Sequence, residues 1–305
     1  MGEIKIGIVG MGWVGSSIAI SILHKGICQH LLLNDLNKDI AEGEAMDLNH
    51  GSSFYPSAEV KAVEISEMMD TEAIVITAGR GGKAGESRLD LLRENIEVAR
   101  KISSELIGYK GILIVVSNPV DVLTYYYQKF TKIPVEKVIG TGTLLDSARL
   151  RDEIGARFNI DSKSVHANVV GEHGDSEVVL WSKANIAGLN LRSWKEWEPA
   201  MEEEIAEKVR VAAQEIIKRK GATNHAIGLV TASLLEWILR GERRVITISR
   251  VVNGPYGFQD LAISGLVLLS REGASEFLEV KMSEIELRDF NKSALIIKEV
   301  IKHVK

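Results

Sequence analysis

A single cysteine, Cys28, in 305 residues leaves no partner for an internal disulfide, so the fold cannot rely on covalent cross-links. Proline is scarce as well. The five prolines are scattered, and with no low-complexity tract or internal repeat there is no sign of a disordered tail or a Pro-rich spacer. No apolar run approaches the roughly 18 residues that a membrane-spanning helix requires, so no membrane partner is expected. The 37 Lys and Arg are dispersed and do not outnumber the 42 Asp and Glu. That excludes the clustered basic footprint of a nucleic-acid binder. Met1 to Gly10 lacks the basic stretch and long apolar core of a secretory signal, and together with the lone cysteine this leads us to expect a cytoplasmic protein.

What is present is ordinary globular composition, 45% hydrophobic and 26% charged, in a chain long enough for about two domains of roughly 150 residues each. Ile4 to Val9 is a short β-branched run ending in glycines, and Trp13 to Leu23 follows as a helix. The alternation continues. His30 to Asn34, Ala73 to Thr77 and Gly111 to Val116 read as buried strands, with a long helix over Arg88 to Ile107. A parallel strand needs a crossover to return to its own edge, so this rhythm predicts a doubly wound parallel sheet with helices on both faces. After Thr143 the rhythm changes. Helical patterns cover Asp146 to Phe158, Glu196 to Lys220, Asn224 to Leu239 and Ser283 to Val304. Ser164 to Val170 is strand-like, and Arg244 to Val280, punctuated at Asn253-Gly254-Pro255 and Arg271-Glu272-Gly273, suggests antiparallel strands with a hairpin. The fold class is therefore α/β, with a Rossmann-type doubly wound domain over residues 1–142 and an α+β substrate domain over 143–305.

Gly10, Gly12 and Gly15 form G-x-G-x-x-G between the first strand and first helix: one glycine for the turn, one for close approach of a pyrophosphate, one for tight packing. Asp35 closes the second strand 20 residues beyond Gly15, where a carboxylate can accept from a ribose diol. The plainer alternative is a glycine turn and a capping aspartate. Strand, turn, helix, strand and acid in the required order favour a dinucleotide. Asp35 would repel a 2′-phosphate, so NAD is expected rather than NADP, with Lys38 as the one nearby residue that argues the other way.

Gly171-Glu172-His173-Gly174-Asp175-Ser176 closely resembles the active-site histidine segment of the L-lactate/malate dehydrogenase family. Thr77-Ala78-Gly79, Gly85-Glu86-Ser87-Arg88, Ser117-Asn118-Pro119-Val120-Asp121 and Leu145-Asp146-Ser147-Ala148-Arg149 resemble its other motifs in order, so the likeness spans the whole chain. It implies NAD-dependent interconversion of a 2-hydroxy acid and a 2-keto acid, no metal, and a homotetramer or homodimer. Residue chemistry agrees. Reducing a keto acid requires a proton donor with a pKa near the working pH, and His173 sits in a polar, glycine-flanked turn beyond a strand end. A carboxylate beside it would fix the tautomer, and the resemblance assigns that to Asp146, which would otherwise be a helix cap. Arg149, three residues on, shares its helix face and matches the arginine that grips the substrate carboxylate. Arg88 matches the arginine that polarises the carbonyl when its loop closes, with a solvated helix-end arginine as the alternative. The resemblance further implies that Asn118 contacts substrate and cofactor, that Asn118-Pro119 is a cis peptide, and that Thr223 lines the substrate pocket.

The chain departs from its relatives at Gly82, where malate enzymes usually carry Arg and lactate enzymes Gln. Gly79 to Gly85 holds four glycines, so Arg80 or Lys83 is a candidate to swing toward the pocket instead. A second substrate carboxylate needs a cation, which favours malate. Glu86, Gly140-Thr141-Gly142-Thr143, Trp181-Ser182 and Thr223 look more like lactate enzymes. The balance leans to malate, with a relaxed pocket that also accepts pyruvate; L-lactate dehydrogenase is the alternative. Arg151 and His166 stand at the spacing at which bacterial lactate dehydrogenases hold a sugar bisphosphate, so an anionic effector is a further expectation, against two ordinary surface residues. Two other classes fit less well. A metal-dependent NAD glycosidase lacks its cysteine ligands here, and a nonenzymatic nucleotide module would not need Arg88, Asp146, Arg149 and His173.

Overall fold

The computed structural model describes residues 2–81 and 87–304, with the side chain of Arg88 outside the description. Six short strands form the parallel part of the main sheet: β1 (Lys5–Val9), β2 (His30–Asn34), β3 (Glu59–Ala62), β4 (Ala73–Ile76), β5 (Ile112–Val115) and β6 (Val138–Gly140). Their order across the sheet is β3-β2-β1-β4-β5-β6, the doubly wound arrangement, with the reversal of direction between β1 and β4. A crevice opens beyond the carboxyl ends of the strands at such a reversal, which is where open α/β sheets bind ligands. Every residue of β4 and β5 is buried, as parallel strands covered on both faces require. The covering helices are α1 (Trp13–Lys25), α2 (Lys38–His50), α3 (Arg88–Glu105) and α4 (Val120–Thr131).

The remainder contains α5 (Leu144–Phe158), five two-residue strands, β7 (Val165–His166), β8 (Val169–Val170), β9 (Val178–Val179), β10 (Asn185–Ile186) and β11 (Leu189–Asn190), and helices α6 (Ala200–Lys220) and α7 (His225–Leu239). Then come β12 (Val245–Val252), β13 (Leu261–Ser270), β14 (Gly273–Phe277) and α8 (Glu284–Val304). A second core gathers Leu150, Val165, Trp181, Trp197 and Ile205 around α5 and α6. The expected strand over Ser164 to Val170 is two short pieces that pair with different partners, β7 with β10 and β8 with β9. The antiparallel strands do not form a sheet of their own. β12 pairs with β6 at Ser249 opposite Gly140, so β12, β13 and β14 extend the first sheet to nine strands. A Cβ on Gly140 would stand 3.0 Å from Ser249 Cβ and closer still to Thr124 Oγ1, so this glycine lets the added strand close on the sheet.

α7 lies against α1, where a Cβ on Gly228 would come within 2.7 Å of the Ser17 carbonyl oxygen. Asn224 Nδ2 donates to Ser17 Oγ at 2.8 Å, and Lys25 pairs with Glu236 at 2.7 Å. These contacts tie the start of α7, and Thr223 just before it, to the glycine-rich end of the parallel sheet. Among the described residues no helix is long and apolar enough to cross a membrane.

Candidate active site

The glycine turn between β1 and α1 is built as a cradle. Gly10 has φ +102°, and a Cβ there would lie 2.6 Å from the Ala78 nitrogen; one on Gly15 would lie 2.0 Å from the Gly10 carbonyl oxygen. Gly12 is different. Its φ of −74° suits any residue, and among the described residues nothing lies within 4 Å of the position its Cβ would take. That open space sits over an α1 N-terminus that has no side-chain cap, so its backbone donors remain for an anion. Asp35 accepts from the Met11 and Asn37 N–H groups at 2.7 and 2.9 Å, which places its carboxylate beside the turn. Lys38 pairs with Glu64, and the two line a cavity of about 180 Å³ together with Asn34 and Asp35. The residues present fit a dinucleotide whose pyrophosphate rests over Gly12 and whose ribose diol meets Asp35.

Beyond the carboxyl end of β6, the first two turns of α5 bring Asp146 and Arg149 onto one face, and Arg149 Nη1 donates to Asp146 Oδ1 at 2.8 Å. His173, in the turn between β8 and β9, meets the other carboxylate oxygen, with Nδ1 at 2.6 Å from Asp146 Oδ2. The Asp146 side chain is only 3% exposed, whereas those of Arg149 and His173 keep 15% and 25%, so the two cations reach the surface from a buried anion. With Nδ1 occupied, His173 Nε2 has no hydrogen-bond partner among the described residues. Burial opposes the imidazolium, but the charges of Asp146, Asp121 and Glu177 and the hydrogen bond to Asp146 raise its pKa to about 9. Burial likewise works against the Asp146 carboxylate, and His173 and Arg149 overcome it and hold the carboxyl below its usual range.

Asn118 is exposed at the end of β5, its peptide bond to Pro119 is cis, and its Oδ1 accepts the Val120 N–H at 3.2 Å. Thr223 is half-buried just before α7. Arg88 opens α3 after the Ser87 cap. Gly82, Lys83 and Glu86 lie outside the described residues. Arg80 is engaged: its backbone N–H donates to Asn95 Oδ1 at 3.0 Å and its guanidinium pairs with Glu94. Arg151 is also spoken for, with Nε donating to the Ala167 carbonyl at 3.0 Å, next to the exposed His166 on β7. Among the described residues no group of His, Cys, Asp and Glu is placed to hold a metal ion.

Two carboxyls that act on His173, the buried Asp121 and the half-buried Glu177, escaped the reading of the sequence. Asp121 accepts the His173 N–H at 2.8 Å, and Glu177 follows His173 by four residues, with burial and the Asp146 charge pushing its pKa up to about 8. Asp121 closes the Ser117 to Asp121 segment and Glu177 follows the Gly171 to Ser176 segment, but neither position advertises its surroundings.

The comparisons agree with this geometry. Residues 4–140 match the family model for the lactate/malate dehydrogenase NAD-binding domain, and residues 143–305 match that for the lactate/malate dehydrogenase α/β C-terminal domain. An L-lactate dehydrogenase of Fervidobacterium nodosum is 44% identical over 311 residues, covering 99% of this chain and 98% of that protein. One from Clostridium perfringens is 40% identical over 301 residues, 96% and 95% of the two chains. The crystal structure of a minor L-lactate dehydrogenase from Enterococcus mundtii, in a ligand-bound form, superposes with a TM-score of 0.96 at 36% identity over 99% of both chains. With a glycine cradle at the sheet reversal and a His–Asp–Arg cluster beyond the carboxyl ends of β5 and β6, the chain belongs to the lactate/malate dehydrogenase family of NAD-dependent oxidoreductases.

Proposed function

We propose that the protein is an L-lactate dehydrogenase, interconverting lactate and pyruvate, and that the Arg149–Asp146–His173 cluster carries the chemistry. Bound NAD supplies the hydride acceptor, or in its reduced form the hydride donor. The chain supplies everything else. Arg149 spends one nitrogen on Asp146. Its remaining edge grips the substrate carboxylate, and this fixes the keto carbon over the crevice. In reduction, His173 Nε2 gives its proton to the developing alkoxide; in oxidation it takes the proton back. Asp146 holds Nδ1–H, so the tautomer is set and the imidazolium is stabilised. We assign Arg88 to polarising the carbonyl, Asn118 to contact with substrate and cofactor, and Thr223 to the pocket wall. We assign the cofactor cradle to residues 1–142 and the His–Asp–Arg cluster to residues 143–305, with Arg88 and Asn118 reaching the substrate from the first unit.

The malate reading of the sequence rested on finding a cation for a second carboxylate. Arg80 is held by Glu94, Gly82 carries no charge, and relatives 36–44% identical over nearly the whole chain are named L-lactate dehydrogenase. These observations favour the lactate alternative. We keep the relaxed pocket at Gly82, flanked by Lys83, so oxaloacetate is a secondary substrate. A homotetramer or homodimer, a cytoplasmic location, and an anionic effector at Arg151 and His166 complete the proposal.

The test is His173→Asn. Turnover of pyruvate should fall by orders of magnitude while NADH binding, read by fluorescence titration, stays as in the wild type. Retained turnover would remove His173 from its role.

A further inference from the structure

The backbone leading into His173 is held from three sides. Gly171 exchanges two backbone hydrogen bonds with Ser264 of β13, at 2.9 and 3.2 Å. The Glu172 N–H donates to Ser293 Oγ of α8 at 2.7 Å, and the His173 N–H donates to Asp121 Oδ2 of α4 at 2.8 Å. The first two acceptors are neutral. The third is a carboxylate on a residue only 2% exposed.

A neutral oxygen would satisfy an N–H without the desolvation cost of a buried charge, which is several kcal/mol. The carboxylate therefore has to be doing something that a neutral acceptor cannot. The groups facing Asp121 are Glu172 and His173 from the loop, Ser249 from β12 and Ser264 from β13, whose Oγ lies 3.4 Å from Asp121 Oδ1. His173 is the one among them that can carry positive charge. Burial pushes the Asp121 carboxyl up to about 6, against the pull of the His173 N–H and imidazole. Between pH of about 6 and 9, then, Asp121 is anionic while His173 is protonated.

We propose that Asp121 is a positioning residue for the proton-transfer step, clamping the His173 backbone so that the ring is aimed at the substrate, and placing a second negative charge behind the imidazolium that Asp146 already holds. This rests on the reading of His173 as the proton donor. Asp146 acts on the ring through Nδ1, whereas Asp121 acts on the chain that carries the ring. One carboxylate sets the tautomer and the other sets where the ring stands.

Asp121→Asn keeps the shape and an acceptor oxygen but removes the charge; Asp121→Ser removes the same charge with a smaller side chain and gives a second reading. Either variant should lower kcat for pyruvate several-fold and move the alkaline limb of the pH–rate profile to lower pH by about half a unit or more. KM for pyruvate and the affinity for NADH should stay unchanged, because Asp121 is only 2% exposed and acts through the His173 backbone. A wild-type alkaline limb and kcat in whichever variant folds would overturn the role of Asp121. His173→Asn, run beside them, separates the two readings. If it is inactive while the Asp121 variants behave as wild type, only the Asp121 proposal falls; if it retains turnover, both fall.

Discussion

Two buried acids, Asp121 and Asp146, the half-buried Glu177 and one histidine act on one another at this site, and their protonation couples the chemistry to stability. His173 is raised from 6.5 to about 9, so its contribution to folding is fully present below pH 6.5 and is lost as the pH rises through 9. Glu177 is raised from 4.5 to about 8 by burial and the Asp146 charge, and its Oε1 has no hydrogen-bond partner among the described residues. The folded state therefore binds its proton more tightly, and stability falls as the pH rises from about 4.5 through 8. Asp121, raised to about 6, acts with the same sign. Urea midpoints should decline from about pH 5 to pH 9, and Glu177→Gln should flatten the decline below pH 8; midpoints that climb across this range would refute the assignment. Asp146, Arg149 and His173 were legible because the segments that carry them resemble the motifs of a known family, even though Asp146 and His173 stand 27 residues apart. Asp121 was not, since it lies 52 residues from the His173 it holds and only the fold brings α4 under the loop.

The glycine turn shows how one short element divides folding from binding. A Cβ on Gly15 would meet backbone at 2.0 Å, while one on Gly12 would meet nothing within 4 Å among the described residues. Gly15→Ala should therefore cost about 1–3 kcal/mol of stability through overpacking. Gly12→Ala should leave the urea midpoint within about 0.5 kcal/mol of wild type yet weaken NADH binding at least tenfold, because the space it fills is the space over the helix N-terminus. Unchanged NADH affinity in Gly12→Ala would mean that the pyrophosphate rests elsewhere. Elements with a strong apolar period, such as β1, β4 and α8, could be read from the sequence to within a residue or two. Others gave no such signal. α2 buries only Ala41 and Ala45, so it shows no apolar stripe, and β3 buries a single residue, Val60. α4 contains three consecutive tyrosines and several β-branched residues, which are poor helix formers held here by tertiary packing.

At the scale of the whole molecule, the two halves are one continuous structure. β12 joins the parallel sheet through β6, α7 packs on α1, and α4, which follows β5 of the first half, carries the Asp121 that accepts the His173 N–H of the second. A change of rhythm after Thr143 revealed two units, but nothing local encodes which strand edge β12 will choose, so the shared sheet was invisible in the sequence. Substrate choice is also a property of the assembled site. Oxaloacetate brings a second carboxylate, and burying it without a matching cation is costly; Arg80 is committed to Glu94. The most direct measurement is the initial rate of NADH oxidation by purified protein with pyruvate and with oxaloacetate, each titrated through saturation. The account predicts a higher kcat/KM for pyruvate, with oxaloacetate lower by less than about a thousandfold, or about 4 kcal/mol, because Gly82 leaves the pocket permissive. A higher kcat/KM for oxaloacetate would contradict it, and would send the search for the missing cation to Lys83.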